Sequence, residues 1–188
     1  MRVAAVVAAG LIATVSGRVT FAAFTLTTQN TNNTVSAGTV VVADNDAGSA
    51  MWDVSNQLPS SPAIVRCIRV TYSGSLPAEV RLFTPASPSA LDPYLNITVE
   101  KGSMPPASTF PSCVGFTPDT TISPTATLQA FKATRTVWAT GIPAFPGAQS
   151  AWNAGDTLVY RFTLAVQNVF AAQGLTGLAA FTWEAQNR

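Results

Sequence analysis

From Leu158 the chain alternates: Leu158, Tyr160, Phe162, Leu164 and Val166 fall on one side, and Val159, Arg161, Thr163 and Ala165 on the other. A period of two in a segment rich in Val, Thr, Phe and Tyr is the signature of a strand, because successive side chains leave a pleated backbone in opposite directions. Leu95, Ile97 and Val99 repeat the pattern, as do Val80 with Leu82 and the set Ala179, Phe181, Trp183 and Ala185. Thirteen prolines and twelve glycines fall between such runs, too often for long helices. Thr39 to Ala43 and Ile64 to Tyr72 are almost continuously apolar, which predicts central strands, with Arg66 and Arg69 unexplained. Ser73-Gly74-Ser75 predicts a turn between the Ile64 and Ala78 strands, and Asn153-Ala154-Gly155-Asp156 a turn into the Leu158 strand. No segment after the N-terminal region carries caps and a helical period; a single helical turn is expected near Val169 to Gln173. Proline-rich stretches at Pro85 to Pro93, Met104 to Pro111 and Gly141 to Pro146 read as loops. The expected fold is all-β: an antiparallel β-sandwich, jelly-roll or immunoglobulin-like, after an N-terminal signal helix.

The N-terminus reads as an export signal. Arg2 precedes the uncharged run Val3 to Val15, which is short for a membrane span of about 20 residues. Thr20 and Ala22 place small residues at −3 and −1 for a cut between Ala22 and Ala23; a cut after Ala23 and an uncleaved anchor are the alternatives. The expected organisation is a signal peptide over 1–22, a strand and tether over 23–34, and a β-sandwich over 35–188. The processed chain is long enough for one independent core. Loss of Arg2 and Arg18 leaves eight basic against nine acidic residues, so no basic surface for nucleic acid is expected. Only 10% of the residues are charged, a low share for a well-solvated monomer and a pointer to surfaces used in association. Contact with a membrane is expected only before signal cleavage.

The chain contains no histidine, which removes histidine-dependent triads and the usual zinc motifs. Neither lysine, Lys101 or Lys132, has a serine three residues before it. A pair among the nine carboxylates could in principle serve a glycosidase, but solvated turn and strand positions are the favoured reading. No enzyme activity, cofactor or metal is expected. Asp44-Asn45-Asp46-Ala47-Gly48 faintly resembles a calcium loop, but Ser55 stands where the late glutamate should be, so a strand-ending turn is expected. Cys67 and Cys113 are the only cysteines; in an exported chain they are expected to pair as a disulfide. Trp138, Phe145 and Trp152 lie in a loop-rich region; they either plug the ends of the sandwich or offer stacking faces to a carbohydrate.

Ala23 to Thr34 reads Ala-Phe-Thr-Leu-Thr-Thr-Gln-Asn-Thr-Asn-Asn-Thr, a strand-capable start followed by a polar tether. Such a strand can pair within its own subunit or with the exposed edge of a neighbour.

Three stretches carry a family likeness. They are Thr20 to Thr25 followed by Ser36-Ala37-Gly38-Thr39; Val70-Thr71-Tyr72-Ser73-Gly74-Ser75-Leu76-Pro77-Ala78; and Trp152 to Phe162 with Ala172-Gln173-Gly174 and Phe181 to Gln186. Together they resemble the TasA/camelysin family of secreted biofilm-matrix fibre proteins. The resemblance implies a jelly-roll-like sandwich, a hairpin at Ser73-Gly74-Ser75, processing by a dedicated SipW-type signal peptidase, and extracellular fibres in which one subunit's N-terminal strand completes the next subunit's sheet. The implied donor residues are Ala23, Phe24, Thr25 and Leu26, and the implied partners are copies of the chain itself, with other matrix proteins or polysaccharide beside them. Leu26 departs from the family, which usually has an acidic residue there, and the paired cysteines are not a general family feature. The rival expectation is a monomeric secreted adhesin or carbohydrate-binding module. N-terminal sequencing of the exported protein should read Ala23 or Phe24 first; Met1 as the first residue would mean that the signal is retained.

Overall fold

The computed structural model describes residues 37–52, 61–85 and 87–188. The contacts divide the chain into Met1–Ala37 and Gly38–Arg188, and the fold below is that of the second unit. It is an antiparallel β-sandwich. One sheet has five strands in the order β1-β2-β7-β4-β5: β1 Val42–Asp44, β2 Ile64–Tyr72, β7 Thr157–Val166, β4 Leu95–Ser103 and β5 Thr117–Thr127. The facing sheet has three in the order β6-β3-β8: β6 Ile142–Pro143, β3 Ala78–Phe83 and β8 Thr182–Asn187.

The alternation in the sequence becomes the core directly. In register, Ile68 lies opposite Tyr160 and Val70 opposite Leu158, while Ile97 lies opposite Leu164 and Val99 opposite Phe162. From the other layer come Val80, opposite Ala185, and Leu82, opposite Trp183. Val70, Val80, Leu82, Ile97, Val99, Tyr160 and Phe162 are all fully buried. β7 is the spine because it pairs on both sides, with β2 and with β4.

Several expectations need correction. Ile64 to Tyr72 is central, but Thr39 to Ala43 leads into β1, which among the described residues is an edge strand pairing only with β2. Ser73-Gly74-Ser75 joins strands that do not pair: it passes the chain from the five-stranded sheet to the three-stranded one, so it is a turn but no hairpin. Gly74 is required there, since a Cβ would collide with the Tyr72 hydroxyl, which bonds the Leu76 carbonyl. β5 was invisible to alternation because Pro118 and Pro124 interrupt it; as an edge strand it needs no ladder bonds on its outer side. A short helix, α1 Leu128–Thr134, follows it, capped by the Thr127 hydroxyl accepting from the Ala130 N–H at 3.1 Å. The single helical turn expected near Val169 to Gln173 is present, as a 3-10 turn at Phe170–Ala172.

Cys67 and Cys113 form a disulfide, with Cα atoms 5.1 Å apart. It staples a proline-rich loop onto β2. Arg69 explains itself in the same place: its guanidinium donates to the carbonyls of Pro105 and Pro106 at 2.6 and 2.8 Å, binding that loop's backbone. Arg161 pairs with Glu100 through two bonds of 2.7 and 2.8 Å and lies over the Phe116 ring at 4.6 Å.

The most enclosed charges are Lys132 on α1 and Asp92, 4% and 1% exposed. Lys132 Nζ lies 2.8 Å from Asp92 Oδ2 and also donates to the carbonyls of Ser87 and Leu178. One ammonium thus ties α1 to two loops. Burial works against ionisation of Asp92, but the bonds from Lys132 and Ser89 outweigh it and hold its carboxyl below the usual range. A lowered folded-state value means that Asp92 stabilises the fold fully above its unfolded value of about 4, and that this is lost as pH falls through the folded one. Lys132→Met, which strands the carboxylate, should cost about 3–5 kcal/mol in urea titration at pH 7, and the deficit should shrink as the pH drops below about 4.

Candidate functional site: an open seam between two sheet edges

Among the described residues, β8 pairs with β3 on one side only, and β1 pairs with β2 on one side only. The two strands border one groove, lined by Val42, Ala43 and Asp44 of β1, by Phe181 just before β8, and by Thr182 and Trp183 at its start. The groove encloses about 190 Å³ and is open to solvent. That is below the 300–1,000 Å³ of a typical small-molecule site. Its lining residues belong to or adjoin two edge strands, and a strand edge carries backbone donors and acceptors that a further strand can pair.

The floor is aromatic. Phe181 packs 4.6 Å from Phe162, 5.5 Å from Trp52 and 5.9 Å from Phe131, and Trp183 lies 5.4 Å from Tyr160. Burial pushes the Tyr160 phenol up, and its hydroxyl approaches the Trp183 indole without meeting hydrogen-bond geometry. The indole N–H groups of Trp52 and Trp183 are enclosed and find no acceptor among the described residues. At one end of the groove, burial raises the Asp44 pKa, and the neighbouring Asp46 carboxylate adds to the rise while the Asp46 N–H opposes it. Asp44 to Gly48 is a turn ending β1: Asp44 Oδ1 accepts from the Asp46 N–H at 3.2 Å, and Asp46 Oδ1 from the Gly48 N–H at 2.6 Å. Asn45 Oδ1 meets the Arg69 N–H at 2.8 Å, capping the ladder where β1 stops.

The cleavage residues Ala22 and Ala23 and the donor residues Ala23, Phe24, Thr25 and Leu26 lie outside the described residues. The loop aromatics separate. Trp152 is fully buried, with its indole donating to the Ala144 carbonyl at 2.7 Å, and it bridges to Ala78 as a plug at the sandwich end. Trp138 is half-buried under the Arg81 guanidinium, 4.2 Å away, and Phe145 lies beneath Arg188 at 5.3 Å. Four of the carboxylates meet cations: Glu79 bonds Arg81 and Arg188, Asp92 bonds Lys132, Glu100 bonds Arg161 and Asp119 bonds Lys101. The groove was missed in the sequence. Alternation marked Phe181 and Trp183 as facing inward, but nothing local marked Trp52 as their neighbour or β1 and β8 as facing edges.

No family model matches this chain, and no curated protein matches it either.

The groove floor gives a test. Phe181→Ala should destabilise the domain by about 3 kcal/mol, because it empties the junction of three rings. Phe170→Ala, on an exposed loop nearby in sequence, should change stability by less than about 0.5 kcal/mol. Paired urea titrations read both.

Proposed function

We propose that this protein is a secreted structural subunit that assembles into extracellular fibres, each copy donating its N-terminal strand to the groove between β1 and β8 of a neighbour. The groove carries the reading: two strand edges, unpaired among the described residues, border one cleft with an aromatic floor, which an added strand would fill, leaving fewer backbone groups open. The donor is Ala23 to Leu26, where Phe24 and Leu26 alternate with Thr25. From Leu26 to Gly38 is twelve residues, which extended span about 40 Å. A domain of this size has a radius of gyration of about 15 Å, so the tether is long enough to reach a neighbouring copy.

A strand given to the next copy makes a contact that does not close on itself, and open polymers follow. The low share of charged residues suits such association. The likeness to the TasA/camelysin family supports the same reading, including export and a place in an extracellular matrix. The rival, a monomeric adhesin or sugar-binding module, is weakened by Trp152, which is wholly enclosed and offers no stacking face.

Deleting residues 23–33 should leave a folded domain with unchanged cooperativity in urea and no fibres under the electron microscope. Fibres from the shortened protein would refute strand donation, and a processed full-length protein that stays monomeric at every concentration would favour the adhesin.

A further inference from the structure

Among the described residues the sandwich has four outermost strands, and they differ in one respect. β1, Val42–Asp44, and β8, Thr182–Asn187, contain no proline. β5, Thr117–Thr127, contains Pro118 and Pro124, and β6, Ile142–Pro143, ends on a third. The two kinds of edge do not mix. β1 and β8 line one groove, and β5 and β6 stand at the other ends of the same two strand orders. Lys101 on β4 shows that those other ends adjoin. Its ammonium lies 2.9 Å from the Asp119 carboxylate of β5, and it donates to the carbonyls of Phe145 and Gly147, just beyond β6, at 2.9 and 3.3 Å. The sandwich thus has one flank whose strands keep all their N–H groups and one flank whose strands are missing some.

Proline is only the first obstacle at β5. Against β4 the strand slips register three times. Ile97 and Val99 lie opposite Ala126 and Ser123, Val99 and Glu100 opposite Ser123 and Thr121, and Lys101 and Gly102 opposite Thr120 and Pro118. Each slip places one residue more on β5 than on β4, and such a bulge bends and twists the strand that carries it. A straight incoming strand cannot follow that edge for long. The reward for trying is also small: Thr117 to Thr121 are exposed, and none of the large exposed apolar side chains lies on β5. A neighbour laid there would gain neither an unbroken ladder nor much buried apolar surface. At eleven residues β5 is the longest strand described, so without these interruptions it would be the longest free template on the domain. Proline, bulges and an ion pair on one edge are the means by which natural sheets keep an outer strand from pairing.

We infer that the β5–β6 flank is closed to strand addition by Pro118, Pro124 and Pro143 and by the bulged β5 ladder, so that strand pairing between copies is confined to the β1–β8 flank. The two flanks are therefore not equivalent. A copy receives a strand on one side only, and copies lying side by side do not fuse through β5. This goes beyond strand donation, because it holds whichever segment fills the groove.

The test restores the missing N–H groups. Pro118→Thr with Pro124→Thr is made in the processed protein, with a photo-crosslinking residue at the exposed Thr121 position of both the substituted and the unsubstituted chain. Position 121 lies on the flank away from the groove, so its crosslinks report a contact separate from strand donation. The double variant should associate at a concentration at least about tenfold lower than the unsubstituted protein, by sedimentation, with an unchanged urea midpoint. Its crosslinks between copies should run from position 121 to the 117–127 segment of another copy and be nearly absent from the unsubstituted protein. Pro124→Thr alone, at an exposed site, should act in the same direction more weakly, and it carries the test if the double variant does not fold. Equal association of the variants and the unsubstituted protein would overturn the inference. So would crosslinks from position 121 between unsubstituted copies as abundant as in the variant, or new association whose crosslinks avoid the 117–127 segment.

Discussion

Sheets of unequal width face each other in this sandwich. Strands lie about 4.8 Å apart, so the outer strands of the five-stranded sheet are separated by roughly 19 Å and those of the three-stranded sheet by roughly 10 Å. The narrower layer cannot cover the wider one. On the β4–β5 side the deficit is filled by α1, which sends Leu128 and Phe131 into the core. On the β1 side no strand among the described residues fills it, and there Trp52, Phe181 and Trp183 pack against the core beside two strand edges that no described strand pairs. The groove follows from this mismatch, and so does the concentration of aromatic rings beside it: large rings are the economical way to span a gap too narrow for another element.

The charged groups work mostly as fasteners on irregular chain. Arg69 and the Cys67–Cys113 disulfide hold the proline-rich loop against β2. Lys132 holds two loops to α1, and Glu79 gathers Arg81 and Arg188 at the end of the narrow sheet. Each replaces a hydrogen-bond ladder that proline- and glycine-rich segments cannot form. With several charges tied to loops and few in the chain, large apolar side chains stand outward, among them Phe170 and Val114. Weak solvation of the surface and firm anchoring of the loops are therefore two consequences of one composition.

The strands that bury one face were legible before any coordinates. Alternation marks Leu158 to Val166, Leu95 to Val99 and Val80 to Leu82 because the pleat sends every second side chain to the core, and all three are strands. The disulfide was legible for another reason: Cys67 and Cys113 are the only cysteines in the chain, so each has only the other to pair with. β5 was not, since it is exposed on most of its length and carries two prolines, so neither periodicity nor composition separates it from a loop. α1 was hidden by its seven residues, too few to display a helical period.

The sequence alone determined the class of fold, the pairing of Cys67 with Cys113 and the absence of histidine chemistry, because each depends on residue type or on spacing along a single strand. Tertiary structure decided which strands become edges. Thr39 to Ala43 and Ile64 to Tyr72 look alike in apolar content, yet one ends at the rim and the other lies at the centre. Edge or centre depends on the order in which distant segments pair, and Val42 and Trp183, 141 positions apart in the chain, come to line the same groove only through that order.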